Sequence, residues 1–195
     1  MFTGIIKELG TVVAMRRAGG VIRLRIHAPK TASGLALGES VAINGVCLSV
    51  VRVRQGALDF EVIPETRRLT NLGTLSNGTR VNVEPSLTLS DRLNGHLVLG
   101  HVDGVGRIVR CHRKAGDAAL GIRLPSALRR YLVPKAPIAV DGVSLTVGAK
   151  LTPTMFSVFL IPETIRHTTL GFRRVGDLVN IEIDYFAKLI TQRAG

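Results

Sequence analysis

The sequence contains no tryptophan, two tyrosines and six phenylalanines. So few rings leave little to stack on nucleic-acid bases, which weighs against a single-strand binder. Two cysteines, Cys47 and Cys111, lie 64 positions apart and form neither a CxxC pair nor a metal-ligand spacing. Both thiols are expected to be free, and the simplest compartment is the reducing cytoplasm. No apolar run reaches the roughly 18–20 residues that span a bilayer, so no membrane partner is expected. The opening "MFTGIIKELG" lacks a basic stretch ahead of a long apolar one and does not read as a signal peptide. Long apolar helical repeats are also scarce.

What the chain has in quantity is glycine (21), proline (8) and positive charge (+12) over 195 residues. The turn formers and short apolar runs point to a mostly β protein. The charge is spread. Residues 1–97 hold 12 Lys and Arg against 7 Asp and Glu, and residues 98–195 hold 14 against 7. Basic residues come singly or in pairs such as Arg16-Arg17 and Arg173-Arg174, not in tracts. This is a solvated basic surface before it is a nucleic-acid footprint, so no nucleic-acid partner is expected.

The chain is written twice. "INGVCLSV" at 43 returns as "VDGVSLTV" at 140, and "IPETRRLTNLG" at 63 returns as "IPETIRHTTLG" at 161. "RVNVE" at 80 matches "LVNIE" at 178, and "GIIKELGTVV" at 4 matches "GHVDGVGRIV" at 100. Four blocks in one order at offsets of 96–98 mark a tandem duplication, which decides architecture. Each unit reads as about six short strands and one short helix. Pro64 stands near that helix's start and Gly73 just past its end. Such a unit suggests a small barrel. The closing "YFAKLITQR" has helical spacing, is too short to be stable alone, and is expected to pack on the body or on a partner chain.

Asn44-Gly45 between two apolar runs is a strong hairpin signal. A two-residue turn pairs Ile43 with Val46, Ala42 with Cys47, Val41 with Leu48 and Ser40 with Ser49. Alternation then sends Val41, Ile43, Val46, Leu48 and Val50 to the core. Ser40, Ala42, Cys47 and Ser49 face out. In the second copy Ile138, Val140, Val143, Leu145 and Val147 go inward, and Pro137, Ala139, Ser144 and Thr146 go outward. A small, weakly polar face without long charged side chains suits a flat ligand better than bulk solvent. A cysteine is normally a small core residue, so Cys47 on this face suggests a thiol in use. His101 and Asp103 lack a third ligand at sensible spacing, so a metal site is not expected. Gly104-x-Gly106 lacks the third glycine and the strand-to-helix setting of a dinucleotide loop. Neither a GxSxG nor a Walker A sequence occurs.

Together, "MFTGII", "NGVCLSV", "TNLG", "GHLVLGHVDG", "VDGVSLTV", "LIPETIRHTTLG" and "VNIEID" resemble the riboflavin synthase family of the α-chain type. The resemblance runs from residue 1 to about residue 190, in order and with the duplication. It implies an all-β fold, a tandem duplication of two similar six-stranded Greek-key β-barrels with a short C-terminal helix. The units would be residues 1–96 and 97–184, each a lumazine-binding barrel, and residues 185–195, a trimerisation helix. It implies a cytoplasmic homotrimer in which the first barrel of one chain faces the second barrel of its neighbour, and it admits association with lumazine synthase. The implied reaction is dismutation of two 6,7-dimethyl-8-ribityllumazine molecules, with no metal and no redox cofactor. A four-carbon unit moves from one to the other, giving riboflavin and a ribitylamino-pyrimidinedione.

Carried over motif by motif, the implied lumazine contacts in the first copy are Gly4, Ile5 and Ile6, then Cys47, Leu48 and Ser49, then Glu61, Val62, Ile63, Pro64, Glu65 and Thr66. In the second copy they are Gly100, His101 and Val102, then Lys135, then Ser144, Leu145 and Thr146, then Phe159, Leu160, Ile161, Pro162, Glu163 and Thr164. Asp184, closing "NIEID", joins this group. Ser40 and Phe2 occupy positions the family associates with activity. Cys47 is the candidate nucleophile or proton relay, because a thiolate forms most easily near neutral pH. His101 is the candidate for proton transfer, its ordinary pKa lying in the working range. The other reading of His101 is a structural strand histidine. Asn94, Pro85-Ser86 and Ala136-Pro137 depart from the family pattern, chiefly around the second barrel. The competing function is a non-catalytic lumazine-protein-like relative that keeps a lumazine or flavin as a chromophore.

Overall fold

The computed structural model describes residues 1–114 and 116–193. Its first half comprises β1 (Glu8–Ala18), β2 (Val21–His27), the single turn α1 (Pro29–Ala32), β3 (Ser40–Ile43), β4 (Val46–Arg54), β5 (Ala57–Val62), α2 (Pro64–Leu69) and β6 (Arg80–Pro85). The strands close into a barrel in the order β1-β2-β5-β4-β3-β6, because β6 pairs with both β1 and β3. The second half repeats this with β7 (Gly104–Lys114), β8 (Asp117–Arg123), β9 (Pro137–Val140), β10 (Val143–Thr146), β11 (Met155–Leu160), α3 (Pro162–His167) and β12 (Leu178–Ile183). The helix α4 (Tyr185–Arg193) follows. Residues 194–195 of the expected trimerisation segment lie outside the described residues. Among the described residues no helix is long and apolar enough to cross a membrane.

The second sheet has the same circular order, β10-β9-β12-β7-β8-β11, but β10 and β11 do not pair as a ladder. In the first barrel β4 runs on to Arg54 and turns at Gln55-Gly56 into β5. The corresponding strand β10 stops at Thr146, ahead of a segment with Pro153, which has no N–H to give a ladder. One bond, Gly148 N–H to the Ser157 carbonyl at 2.7 Å, bridges the opening. The second unit is thus a nearly closed barrel. The long strands β1 and β7 each carry a bulge at the same place, between Val12 and Ala14 and between Ile108 and Arg110. The extra residue bends each strand around its barrel.

Both hairpins have the expected register. Ser40 pairs with Ser49, Ala42 with Cys47 and Ile43 with Val46, and Pro137 pairs with Thr146 in the second copy. Asn44 and Asp141 share φ 46° and Gly45 and Gly142 share φ 77°, the left-handed pair that a two-residue turn requires. All the residues assigned inward are buried, in two separate cores. The short helix after Pro64 ends earlier than the sequence suggests. Thr70 turns extended, and its hydroxyl donates to the Thr66 carbonyl at 2.6 Å and accepts from Leu72 N–H. Gly73 therefore sits inside a following 3₁₀ turn, Asn71–Thr74, not past the helix end.

The barrels are joined back to back through those hairpin tips. A side chain on Gly45 would lie 2.6 Å from the Gly142 nitrogen, and one on Gly142 as close to that of Gly45. Around this contact runs a buried polar network with near two-fold symmetry. Asn44 Oδ1 accepts from Asn82 N–H, and Asp141 Oδ1 accepts from Asn180 N–H, both at 2.8 Å. Asn82 Nδ2 crosses to the Asp141 carbonyl, and Asn180 Nδ2 crosses to the Asn44 carbonyl. The symmetry is broken at one charge. Asp141 has no exposed side-chain surface and pairs with Arg173 Nη2 at 2.7 Å. Burial pushes its carboxyl above the ordinary range, while Arg173 and the N–H donors pull it back down.

Candidate functional site

Two short segments pass between the barrels and exchange places. Phe2 and Val98 pair as an antiparallel bridge, with Phe2 N–H to Val98 carbonyl at 2.7 Å. The chain then leaves Phe2 toward the second barrel, where Ser144 N–H donates to the Gly4 carbonyl at 2.8 Å. Past Val98 it reaches the first barrel, where Cys47 N–H donates to the Gly100 carbonyl at 2.9 Å. Ile6 packs on the second core and Val102 on the first. Sorted by space and not by sequence copy, Gly4 to Ile6 therefore lie with Ser144 to Thr146, and Gly100 to Val102 lie with Cys47 to Ser49.

Glycine is required at both crossings. Gly4 and Gly100 have φ +75° and +80°. A Cβ on Gly4 would come 2.6 Å from Ser144 Cβ, and one on Gly100 would come 2.6 Å from Cys47 Cβ. The crossing segments are pinned by a matched pair of buried carboxylates. Glu84 accepts from Thr3 N–H and Thr3 hydroxyl, both at 2.7 Å, and from Gly4 N–H at 3.1 Å. Glu182 accepts from Leu99 N–H at 2.7 Å and Gly100 N–H at 3.0 Å. Burial pushes both carboxyls above the ordinary carboxylate range against the pull of these donors.

This shift has a testable sign. A folded pKa raised above the unfolded value, near 4.5, stabilises most below that value. The contribution is lost as pH rises through the folded pKa. Glu84→Gln removes this term. The stability of the natural chain relative to Glu84→Gln should therefore be greatest below pH 4.5 and fall as pH rises, as read from urea unfolding at several pH values. A constant difference across that range would place no titrating proton on Glu84.

The outward face is less open than its alternation implies. Ala42 and Ala139 are buried, not ligand-facing, because Phe2 and Val98 cover them in a small cluster between the barrels. Phe2 is fully buried there, and its ring edge lies against Gly100. Any effect of Phe2 on chemistry runs through the position of Gly100 and Cys47. Cys47 is half-buried at the rim of this cluster, and Ser144 is half-buried at the matching place. Ser49 and Thr146 are exposed beyond them, and Ser40 is half-buried.

Each face continues onto the neighbouring strand and helix start. Glu61, Ile63, Pro64 and Glu65 are exposed with Thr66 half-buried, while Val62 and Leu48 point into the core. On the second barrel Phe159, Ile161, Pro162 and Glu163 are exposed with Thr164 half-buried, while Leu145 and Leu160 point inward. Buried members of these runs can offer a ligand only backbone groups. Ile5, His101 and Lys135 are exposed. Besides Cys47 and Ser144, the two faces differ where Glu61 stands in the first and Phe159 in the second.

One constellation was not singled out from the sequence. His96 Nδ1 and Ser144 Oγ share a hydrogen bond of 2.7 Å. Burial holds the His96 imidazole below its ordinary pKa, with the nearby Asp184 charge opposing. A neutral imidazole on a serine hydroxyl can take or return a proton. His96 stands in the quoted "GHL", but only its spatial neighbour Ser144 distinguishes it from His101. Asp184 itself caps α4, accepting from Ala187 N–H at 3.0 Å. Glu84 and Glu182 were detectable as a charged residue ending an apolar strand in both copies.

Residues 3–86 and 99–184 each match the lumazine binding domain family. The chain is 39% identical over 188 residues to riboflavin synthase of Bacillus subtilis, covering 96% of this chain and 87% of that protein. It is 44% identical over 195 residues to riboflavin synthase of Mycobacterium tuberculosis, covering 97% and 96%. Among solved structures, LumP complexed with riboflavin superposes with a TM-score of 0.86 at 23% identity, over 94% of this chain and 99% of that one. LumP complexed with 6,7-dimethyl-8-(1'-D-ribityl) lumazine gives 0.85 at 22% identity, with the same coverage. At those identities the two structures speak to the fold alone.

Proposed function

We propose, since the chain belongs to the lumazine-binding tandem-barrel family that includes riboflavin synthase, that it is itself a riboflavin synthase. It takes two molecules of 6,7-dimethyl-8-ribityllumazine, moves a four-carbon unit between them, and releases riboflavin and a ribitylamino-pyrimidinedione. The observation that carries this reading is the pair of matched but unequal faces, with Cys47 against Gly100 in one and Ser144 against Gly4 and His96 in the other. Two like faces suit two copies of one substrate. Unequal polar groups suit their unequal chemical parts, donor and acceptor.

The chemistry needs a proton taken from the C7 methyl of one lumazine and a nucleophile added at C7 of the other. Cys47 is assigned to the first face as nucleophile or relay. The exposed His101, beside Gly100, is assigned to proton transfer on the same ring. Ser144 with His96 is assigned to the second face. Backbone groups at Leu48, Val62, Leu145 and Leu160, together with Thr66 and Thr164, are assigned to ring and ribityl contacts. Holding both rings in place converts a two-body encounter into a positioned one.

In this reading the two faces of a reacting pair come from different chains of a cytoplasmic homotrimer. The helix α4 supports that assembly. Lys188 Nζ bonds to both oxygens of Asp103 at 2.9 Å and ties the helix to the second barrel. Phe186, Leu189 and Ile190 stay exposed on it. Phe186→Ser with Ile190→Ser should therefore shift the sedimentation of the protein from trimer toward monomer. A trimer unchanged by both substitutions would place the contact on the barrels.

The same fold holds riboflavin or the lumazine as a bound ligand in LumP, which leaves a second reading, a binding protein without turnover. Incubating the purified chain with the lumazine separates the two. Growth of riboflavin absorbance supports the enzyme, and tight binding with no riboflavin supports the chromophore carrier.

A further inference from the structure

A hollow of about 650 Å³ lies on the protein away from Cys47. It lies farther along the outer wall of the first barrel, where β1, β2, β4 and β5 run side by side. Five arginines line it, Arg16, Arg17, Arg23, Arg25 and Arg52, against two carboxylates, Asp59 and Glu61. Arg25 forks onto Asp59 at 2.6 and 2.7 Å and is neutralised. Arg23 lies 3.4 Å from Glu61. Among the described residues Arg16, Arg17 and Arg52 have no carboxylate within ion-pair distance. A second hollow, of about 350 Å³, adjoins the first at Arg17 and adds Arg67.

The arrangement works against local stability. Arg16 and Arg23 are direct cross-strand partners, and like charges so placed repel. A bound anion turns that repulsion into attraction, and planar guanidinium groups match phosphate oxygens two at a time. The second barrel provides an internal control. There His112, Ala119 and Gly121 stand where Arg16, Arg23 and Arg25 do, while Arg113 matches Arg17 and Arg110 takes the place of Ala14. The facing Arg16–Arg23 pair is thus a property of the first barrel, not of the repeated unit.

Its position completes the argument. Glu61 belongs both to the hollow and to the ligand face, because it continues the cross-strand row that holds Arg23. A ring resting on Cys47 to Ser49 is walled on one side by Gly100 and Phe2. On the other side the face opens toward Glu61 and Arg23. At the 4.7–4.9 Å spacing of neighbouring strands, Arg23 lies on the order of 10 Å from Ser49, within reach of a ribityl chain's far end.

We propose that these arginines form an anion subsite for the terminal phosphate of a phosphorylated ribityl ligand, a flavin mononucleotide being the representative. The inference rests on the lumazine-binding reading above. The first barrel then favours the phosphorylated flavin over its alcohol. A phosphate dianion would also account for part of a basic surface that a neutral ribityl chain leaves unexplained.

The test is a pair of fluorescence titrations of the full chain, with riboflavin and with flavin mononucleotide, at low salt. Both are repeated with millimolar inorganic phosphate and with Arg16→Gln and Arg52→Gln, singly and together. One site per chain should hold flavin mononucleotide at least tenfold more tightly than riboflavin. That advantage should shrink with added phosphate and disappear in the double variant, whose riboflavin affinity stays unchanged. Equal affinities in the natural chain overturn the subsite. So does a preference indifferent to phosphate and to both substitutions, and so does a loss of both flavins in the double variant. If neither flavin binds the natural chain, the lumazine-binding reading fails as well, an outcome distinct from equal binding.

Discussion

Arg173→Met should cost about 3–5 kcal/mol of stability, the range for removing one partner of a buried ion pair. Asp141 lies at the turn where the two barrels touch, with no side-chain surface left to water. Its Oδ1 accepts from Asn180 N–H and Asn71 Nδ2, and its Oδ2 depends on Arg173. Methionine fills much of the same volume but carries no charge, so the carboxylate is left uncompensated or must take up a proton. The first copy indicates the remedy. Asn44 holds the equivalent position without a charge. Asp141→Asn together with Arg173→Met should therefore recover most of the loss, and a double-mutant cycle in urea should give strong coupling. A loss below about 1 kcal/mol for Arg173→Met would mean that the pair contributes little.

Cys47→Ser should lower turnover on the order of a hundredfold or more, the scale of a lost proton-transfer or nucleophilic group. Lumazine affinity should change little. Serine keeps the size of the side chain and the Cys47 N–H to Gly100 carbonyl bond, but its hydroxyl stays protonated at neutral pH. The comparison is also built into the chain, since Ser144 occupies the same place in the second barrel. A Cys47→Ser enzyme with unchanged kcat would reduce the thiol to packing against Phe2 and Ala42.

The hairpins were legible in the sequence because a two-residue Asn-Gly or Asp-Gly turn leaves the register no freedom. Once Ile43 faces Val46, every inward residue from Val41 to Val50 follows by alternation. The duplication was legible because it is written in letters. The exchange of Gly4 and Gly100 between barrels was not. It is decided by contacts such as Gly4 to Ser144, between residues far apart in the chain and within no local pattern. The same holds for Ala42 and Ala139, which alternation places outward and Phe2 then buries. Asp141 read as a turn residue, and only the packing of Gly45 on Gly142 makes its charge a buried one. The gap between β10 and β11 reflects a short strand ahead of Pro153, where the repeat loses its letter-by-letter match. His96 stood inside a recognised motif, yet its neutral, serine-bonded state depends on burial that no spacing encodes.

The most direct test of the account is a mass balance. The purified chain is incubated with 6,7-dimethyl-8-ribityllumazine and a metal chelator, with no added reductant, and all three species are quantified over time. The account predicts two lumazines lost for each riboflavin and each pyrimidinedione formed. Bound lumazine that yields no riboflavin, or a conversion at any other ratio, would contradict it.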